Sequence, residues 1–257
     1  MLDGNHLRKI VDYATPTGVF DDVIIAGGVC YFHWDREYDG LCEFVNMYET
    51  GPVSSIRDLN KFEILVRHSN AAPIIEKVLS FGYETLDNYV SPRKPFGIPS
   101  NYKPRREGVP CWFRRSQGVL YADPQDIVDK TAALHKWKVI APIFPISGRC
   151  RFDRPIRFYR DYDIYIAKPG ECCTESWIIL RSFDVEDEAV SFRSYIRTKL
   201  IRFLILQSVI AQHCSRSYFR FVPDLSPYSG IYTDEMLCEM WNISKEEWSF
   251  VDWLVKN

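Results

Sequence analysis

Asp22-Val-Ile-Ile-Ala-Gly-Gly-Val-Cys-Tyr-Phe-His-Trp-Asp-Arg36 decides how this chain reads. Val23, Ile24 and Ile25 form a β-branched run, Gly27-Gly28 interrupts it, and Val29 to Trp34 is a second run rich in aromatics. Such side chains fit a half-buried pleat, and paired glycines permit a bend or bulge that other residues resist. The pattern predicts strand, bend, strand. A further strand is predicted over Leu41–Tyr48, after a turn at Asp39-Gly40.

Outward from that stretch, residues 6–14 read as a short helix, with Leu7, Ile10 and Val11 on one face, leading to the turn Thr15-Pro-Thr-Gly18. Phe62–Arg67 reads as a strand. Asn70–Phe81 reads as a helix with Ile74, Val78 and Phe81 inward and Pro73 in its first turn. Short strands are predicted at Val109–Phe113, Val119–Tyr121, Lys138–Phe144, Ile164–Ala167 and Trp177–Phe183, and a helix over Asp123–His135. Glu186–His213 is the strongest helical pattern: Ala189, Phe192, Ile196, Leu200, Phe203 and Ile210 recur at helical spacing with no Gly or Pro among them. Ser244 and Glu247 form a capping box ahead of Trp248, Val251 and Leu254. The fold class is therefore α+β: a mixed, mostly antiparallel sheet packed on one long helix, with an N-terminal β-hairpin and a small C-terminal helical module.

Gly27-Gly-Val-Cys-Tyr-Phe-His-Trp-Asp35, preceded by Val19-Phe20 and Ile24, resembles the terminal catalytic-domain hairpin of adenine-specific DNA methyltransferases of type II restriction-modification systems. A target-recognition domain follows that hairpin in the family. Later counterparts appear in order: Ser91-Pro-Arg-Lys-Pro-Phe-Gly97, Trp137-Lys-Val139, Pro169-Gly-Glu-Cys-Cys-Thr174, Tyr195–Leu204, Phe221-Val-Pro223 and Thr233–Leu237. The resemblance implies a hairpin remnant of the catalytic domain over residues 1–55 and a DNA target-recognition domain over 56–257, with a helical tail at 231–257. It also implies a bacterial methylase subunit fragment.

The chain has 257 residues, 46% of them hydrophobic, which is enough for a sizeable core. No apolar run approaches the roughly 18 residues of a membrane span, and Met1–His6 lacks the features of a secretion signal, so a cytoplasmic protein is expected. The eight cysteines, without a Cys-x-x-Cys pair, fit reduced thiols better than a disulfide framework or a zinc site. The net charge of −2 hides an uneven distribution. Ser91–Arg115 holds seven basic residues against Glu107 alone, a net charge of +6. Arg149–Arg160 holds five arginines against Asp153, with Phe152, Ile156 and Phe158 interleaved, so that a ribbon there points arginines away from an apolar face. Thr233–Asp252 carries six acids against Lys245.

Five prolines and two glycines break all periodicity between Ser91 and Pro110. A loop that long in a compact domain is either functional or plain solvated surface, and with Phe96 and Tyr102 among its cations it is expected to present rings and guanidinium groups together. Arg193 and Arg197 share one edge of the long helix, whereas Lys199 and Arg202 fall on another side; the first pair reads as phosphate contacts or as a solvated face.

Reactive machinery is missing. The resembled family sets an Asn/Asp/Ser-Pro-Pro-aromatic motif against the target adenine, yet this sequence has no Pro-Pro; Asp123-Pro-Gln-Asp126 lacks both the second proline and the aromatic. Gly27-Gly28 opens no βα unit of the kind that holds the methyl donor, so S-adenosylmethionine is expected only for a catalytic domain not carried here. None of the twelve lysines has an acid two residues before it, as a Mg²⁺-dependent nuclease strand requires, and the five histidines are scattered singly. No catalytic residue and no metal ligand is assigned.

The expected function is sequence-specific recognition of double-stranded DNA, with Arg93, Lys94, Lys103, Arg105, Arg106, Arg149, Arg151, Arg154, Arg193 and Arg197 as contacts. The alternative is an interaction module that completes a separate methyltransferase catalytic domain or subunit through the open edge of the early hairpin.

Overall fold

The computed structural model describes residues 4–14, 19–20, 25, 27–114, 116–144, 154–209 and 214–256. Four strands build the N-terminal sheet: β1 (Leu7–Tyr13), β2 (Val29–Trp34), β3 (Cys42–Tyr48) and β4 (Gly51–Arg57), in the order β2-β1-β3-β4. The segment expected to be a helix is thus the central strand β1, antiparallel to β2 and parallel to β3. Tertiary pairing overrides the helical spacing because both neighbours supply backbone partners, and Ile10-Val11 is β-branched. Of the run before Gly27, residues 21–24 and 26 lie outside the described residues; β2 takes β1 as its partner. The strands predicted at β2 and β3 are present.

This sheet is fastened to the body by polar side chains more than by its small core of Leu7, Ile10, Cys42 and Phe44. Arg57 donates to the Val66 carbonyl at 2.7 Å, and Asn46 donates to the Arg67 carbonyl at 3.0 Å while accepting from the Ser69 amide and hydroxyl. Arg67 grips Asp12 with two bonds of 2.7 and 2.9 Å. The strand expected over Phe62–Arg67 is consequently an irregular connector, its carbonyls taken by side chains. A 3-10 turn then leads into α1 (Ala72–Leu79), which has Pro73 in its first turn and buries Ile74 and Val78. Phe81 lies beyond the helix end and is 45% exposed, against expectation, stacking on Tyr83.

Two small sheets follow. One comprises β5 (Val109–Trp112), β6 (Val119–Ala122) and β10 (Cys172–Cys173). The other comprises β7 (Trp137–Pro142), β9 (Tyr165–Ala167) and β11 (Trp177–Phe183) in the order β11-β7-β9. The second is buried on both faces. Val139, Ala141, Ile178 and Leu180 point into the larger core shared with the helices, while Ile140, Ala167, Trp177 and Ile179 point into a second core with Cys111, Phe113 and Cys172. That alternation is the period of two that a strand imposes.

The helix expected over Asp123–His135 is a 3-10 turn at Pro124–Asp126 followed by irregular chain. Asp129 explains the difference: its carboxylate accepts from the amides of Thr131, Ala133 and Leu134, offering the backbone an alternative to helical bonds. Of the expected arginine ribbon, residues 147–153 lie outside the described residues. The remainder gives β8 (Ile156–Arg157), parallel to the C-terminal β12 (Val255–Lys256), with Ile156 and Phe158 buried and Arg157 outward.

The α+β class is as expected, but the single long helix is two: α2 (Glu186–Arg197) and α3 (Lys199–Gln207). Thr198 breaks the run with an extended backbone (ψ 149°) and accepts from the Ile201 amide. Asp234 takes the Lys199 and Leu200 amides at 3.1 and 2.9 Å, so most orphan donors of α3 are satisfied. Residues 210–213 lie outside the described residues. Arg202 is 1% exposed and donates to the Thr198 and Phe158 carbonyls, which makes it a core residue, not a solvated one. Lys199 pairs with Asp252. The acidic tail forms α4 (Asp234–Met240) and α5 (Lys245–Leu254), the latter with the Ser244–Glu247 capping box, and both bury Leu237, Trp241, Val251 and Leu254 in the larger core.

Two buried ionisable groups generate tests. Lys138 is fully buried and its ammonium donates to the carbonyls of Leu134, Lys136 and Lys168 at 3.2, 2.6 and 2.8 Å. Lys138→Met strands these acceptors, and a loss of about 2–4 kcal/mol is expected, read as a fall in Tm of roughly 5–15 °C. A Tm within 2 °C of the parent, by rough allowance for scatter, would show the cradle to be unimportant.

His68 sits between the rings of Tyr48 and Phe250, where burial holds its pKa down at about 3. In the unfolded chain it titrates at about 6.5. Its neutral form therefore contributes stability fully above that value and loses it as pH falls towards 3, by roughly 1.4 kcal/mol per unit. Urea melts between pH 7 and 4 are expected to show a shallower acid decline for His68→Gln than for the parent chain. Parallel curves would contradict the assignment.

Candidate nucleic-acid interface

Residues 92–108 contain no strand and only a single β-bridge at Arg105, as expected of the Pro-rich stretch, yet the segment is tied down along its length. Ser91 joins β11 by its amide to the Ile179 carbonyl at 2.8 Å and by its hydroxyl, which accepts from the Ile179 amide at 3.0 Å. Phe96 and Ile98 are 0% and 1% exposed and insert into the second core. The Val128 and Lys130 amides donate to the Phe96 and Pro95 carbonyls, the Glu175 amide to Ile98, and the Arg105 amide to Tyr121. Buried backbone groups must find partners, and here they find them outside the loop.

That anchoring corrects one expectation. The Phe96 ring is not presented beside the cations; it is the anchor. Tyr102 is half-buried, packs on Phe113, donates its hydroxyl to Asp126 at 2.6 Å and accepts from the Asp123 amide at 3.0 Å. Both rings position the loop and leave its charges outward.

Arg93 and Lys94 converge on one carboxylate, Glu175, at 3.4 and 3.7 Å. Glu175 also accepts from the Ser100 amide at 3.1 Å, and this bond, with Lys94 and Arg93 beside it, holds its carboxyl below the usual range. Arg105 stands 3.9 Å from Asp123 and 3.7 Å from Asp126; its pKa is raised chiefly by Tyr102, with the two carboxylates adding to it. Lys103 and Arg106 are exposed and, among the described residues, have no carboxylate within ion-pair distance. The loop's charge is thus partly opposed by acids from other segments. Exposed pairs at these separations are worth at most about 1 kcal/mol, so an incoming phosphate can compete for the same guanidiniums.

The remaining expected contacts lie elsewhere. Arg149 and Arg151 fall outside the described residues. Arg154 pairs with Glu49, at the turn between β3 and β4. Arg193 donates to the Ile164 carbonyl at 3.0 Å, and Arg197 is half-buried in the last turn of α2, so both take part in packing the helix. The structure therefore brings Arg93 and Lys94 together, gathers Lys103, Arg105 and Arg106 on one short stretch, and does not join Arg154, Arg193 or Arg197 to them through shared partners.

Two participants escaped the reading of the sequence as contacts. Arg114 was legible only as part of a basic count, and Glu175, which organises Arg93, Lys94 and Ser100, had no linear signal because its partners are some 75 residues away. Arg93, Ser100, Arg114, Glu175, Ser176 and Trp177 line an open groove of about 400 Å³. Among the described residues, no group of three or more His, Cys, Asp or Glu side chains is placed to hold a metal ion. No helix among them is long and apolar enough to cross a membrane.

No family model matches the chain, and no curated protein matches it. Among solved structures, that of the type IIG restriction endonuclease BpuSI is similar with a TM-score of 0.33 and 11% sequence identity, over 98% of this chain. The chain spans 42% of that protein's length. At this level the two backbones share too little for fold or activity to be carried from one to the other.

Proposed function

We propose that the chain is a double-stranded-DNA recognition module of the restriction-modification type, without methyl-transfer chemistry of its own. One observation supports this most: a cationic loop fixed at its base by buried Phe96 and Ile98 carries Arg93, Lys103, Arg105 and Arg106 outward. Fixing the backbone before binding removes ordering cost from association, and guanidinium and ammonium groups on such a platform suit phosphates and guanine edges. Arg149, Arg151 and Arg154 belong to this reading as further contacts, and Arg193 and Arg197 as secondary ones. Residues 1–55 are assigned to the edge of a methyltransferase catalytic domain, 56–257 to the recognition domain, and S-adenosylmethionine to that catalytic domain alone.

A second reading has its own support. Among the described residues β2 is the outermost strand of its sheet; it has no Lys, Arg, Asp or Glu from Val29 to Trp34 and exposes Tyr31, Phe32 and Trp34 by 57, 46 and 47%. Natural sheets usually protect such edges with charge, so an uncharged one suits pairing with a strand of a catalytic subunit.

Selection from a randomised duplex pool tests the first reading. The full chain is expected to enrich a defined motif, with binding that weakens steeply as salt rises, and Lys103→Gln with Arg106→Gln is expected to lower the slope of log K against log salt by about 2. No enrichment and no binding in dilute buffer would refute it; retention of a methylase subunit alone would favour the second.

A further inference from the structure

We propose that the groove lined by Arg93, Arg114, Ser100 and Ser176 seats a stretch of the DNA sugar–phosphate backbone, so that Arg93 and Arg114 clamp phosphates and do not read bases. This rests on the DNA-recognition reading and adds a role within it. The shape is the first ground. Side chains that read base edges must project into the major groove of a duplex, whereas a concave groove of about 400 Å³ receives what projects from the duplex, and that is its backbone.

The chemistry is the second ground. Arg114 is exposed and, among the described residues, has no carboxylate partner; the Arg93 side chain is 65% exposed. Ser176 supplies a neutral donor of the kind common at phosphates, and the exposed Phe144 ring with the half-buried Pro142 in the same lining suits a deoxyribose ring. Among the described residues of the lining, Glu175 is the one anionic group. Its oxygens already serve the Ser100 amide and the Arg93 and Lys94 cations, so it orients Arg93 only loosely before DNA arrives. It also repels the phosphate it prepares for, which keeps the clamp weak and reversible.

The test uses the full chain and two duplexes of unrelated sequence, with Arg36→Gln, an exposed arginine on the turn after β2, as the control for lost charge. Arg93→Gln and Arg114→Gln are each expected to weaken binding several-fold, equally on both duplexes, and to lower the salt slope by about 0.9, while Arg36→Gln does neither. Arg114→Lys is expected to retain most of the affinity, because a phosphate accepts a point charge where a guanine edge requires the planar fork. Glu175→Gln is expected to tighten binding to both. Losses confined to one duplex, a Lys variant as damaging as the Gln variant, or unchanged affinity in both arginine variants would overturn the clamp while leaving DNA recognition standing. Absence of duplex binding by the unaltered chain would remove both. Melting curves coincident with the parent chain show that each variant is folded, and the Lys variant decides the matter if a Gln variant is not.

Discussion

The burial of Phe96 and Ile98 in the second core is the constraint on which the candidate interface depends. Truncating a ring so fully enclosed costs roughly 3–5 kcal/mol, several times what any exposed ion pair on the same loop contributes. The energy that fixes the loop and the charges that make it useful therefore reside in different residues. Arg93 and Lys94 flank the anchor on one side and Lys103, Arg105 and Arg106 follow on the other, so one buried cluster determines where five cations are held. The same core ties them to β11 through Ser91 and to β6 through Arg105.

The carboxylates around the loop set its strength and do not cancel it. Glu175 faces two cations and Asp123 with Asp126 face one, each at separations where solvent screens the attraction. Such pairs orient a side chain at little energetic cost when a stronger anion displaces them. A chain whose net charge is −2 can in this way carry a basic loop, anchored in the second core, while the acidic helices α4 and α5 bury their apolar faces in the larger one.

How much of this was legible depended on whether the deciding contacts were local. The strands β5, β6, β7, β9 and β11 were readable because each is a short run rich in β-branched and aromatic residues, and α5 was readable because Ser244 and Glu247 cap it from within four residues. Residues 6–14 were misread because a central strand and a helix can share the spacing of Leu7, Ile10 and Val11, and only pairing with β2 and β3 resolves the choice. The break at Thr198 had a signal, a threonine ahead of an apolar run, but Asp234 completes the cap from a distant helix. In the candidate site, the cations were legible as composition. Their anchor and their acidic neighbours were not, since Phe96 looks the same in sequence whether its ring faces water or core, and Glu175 reaches Ser100 only through the fold.

The central claim is that DNA meets the chain on the cationic loop held by that buried cluster. Amide hydrogen exchange of the full chain with and without a mixed-sequence duplex in dilute buffer tests it most directly. Slowed exchange is predicted in peptides covering residues 93–108 and 114–122, with α4 and α5 unchanged. Protection confined to the acidic helices or to the N-terminal sheet, with the loop exchanging as in the free chain, would contradict it.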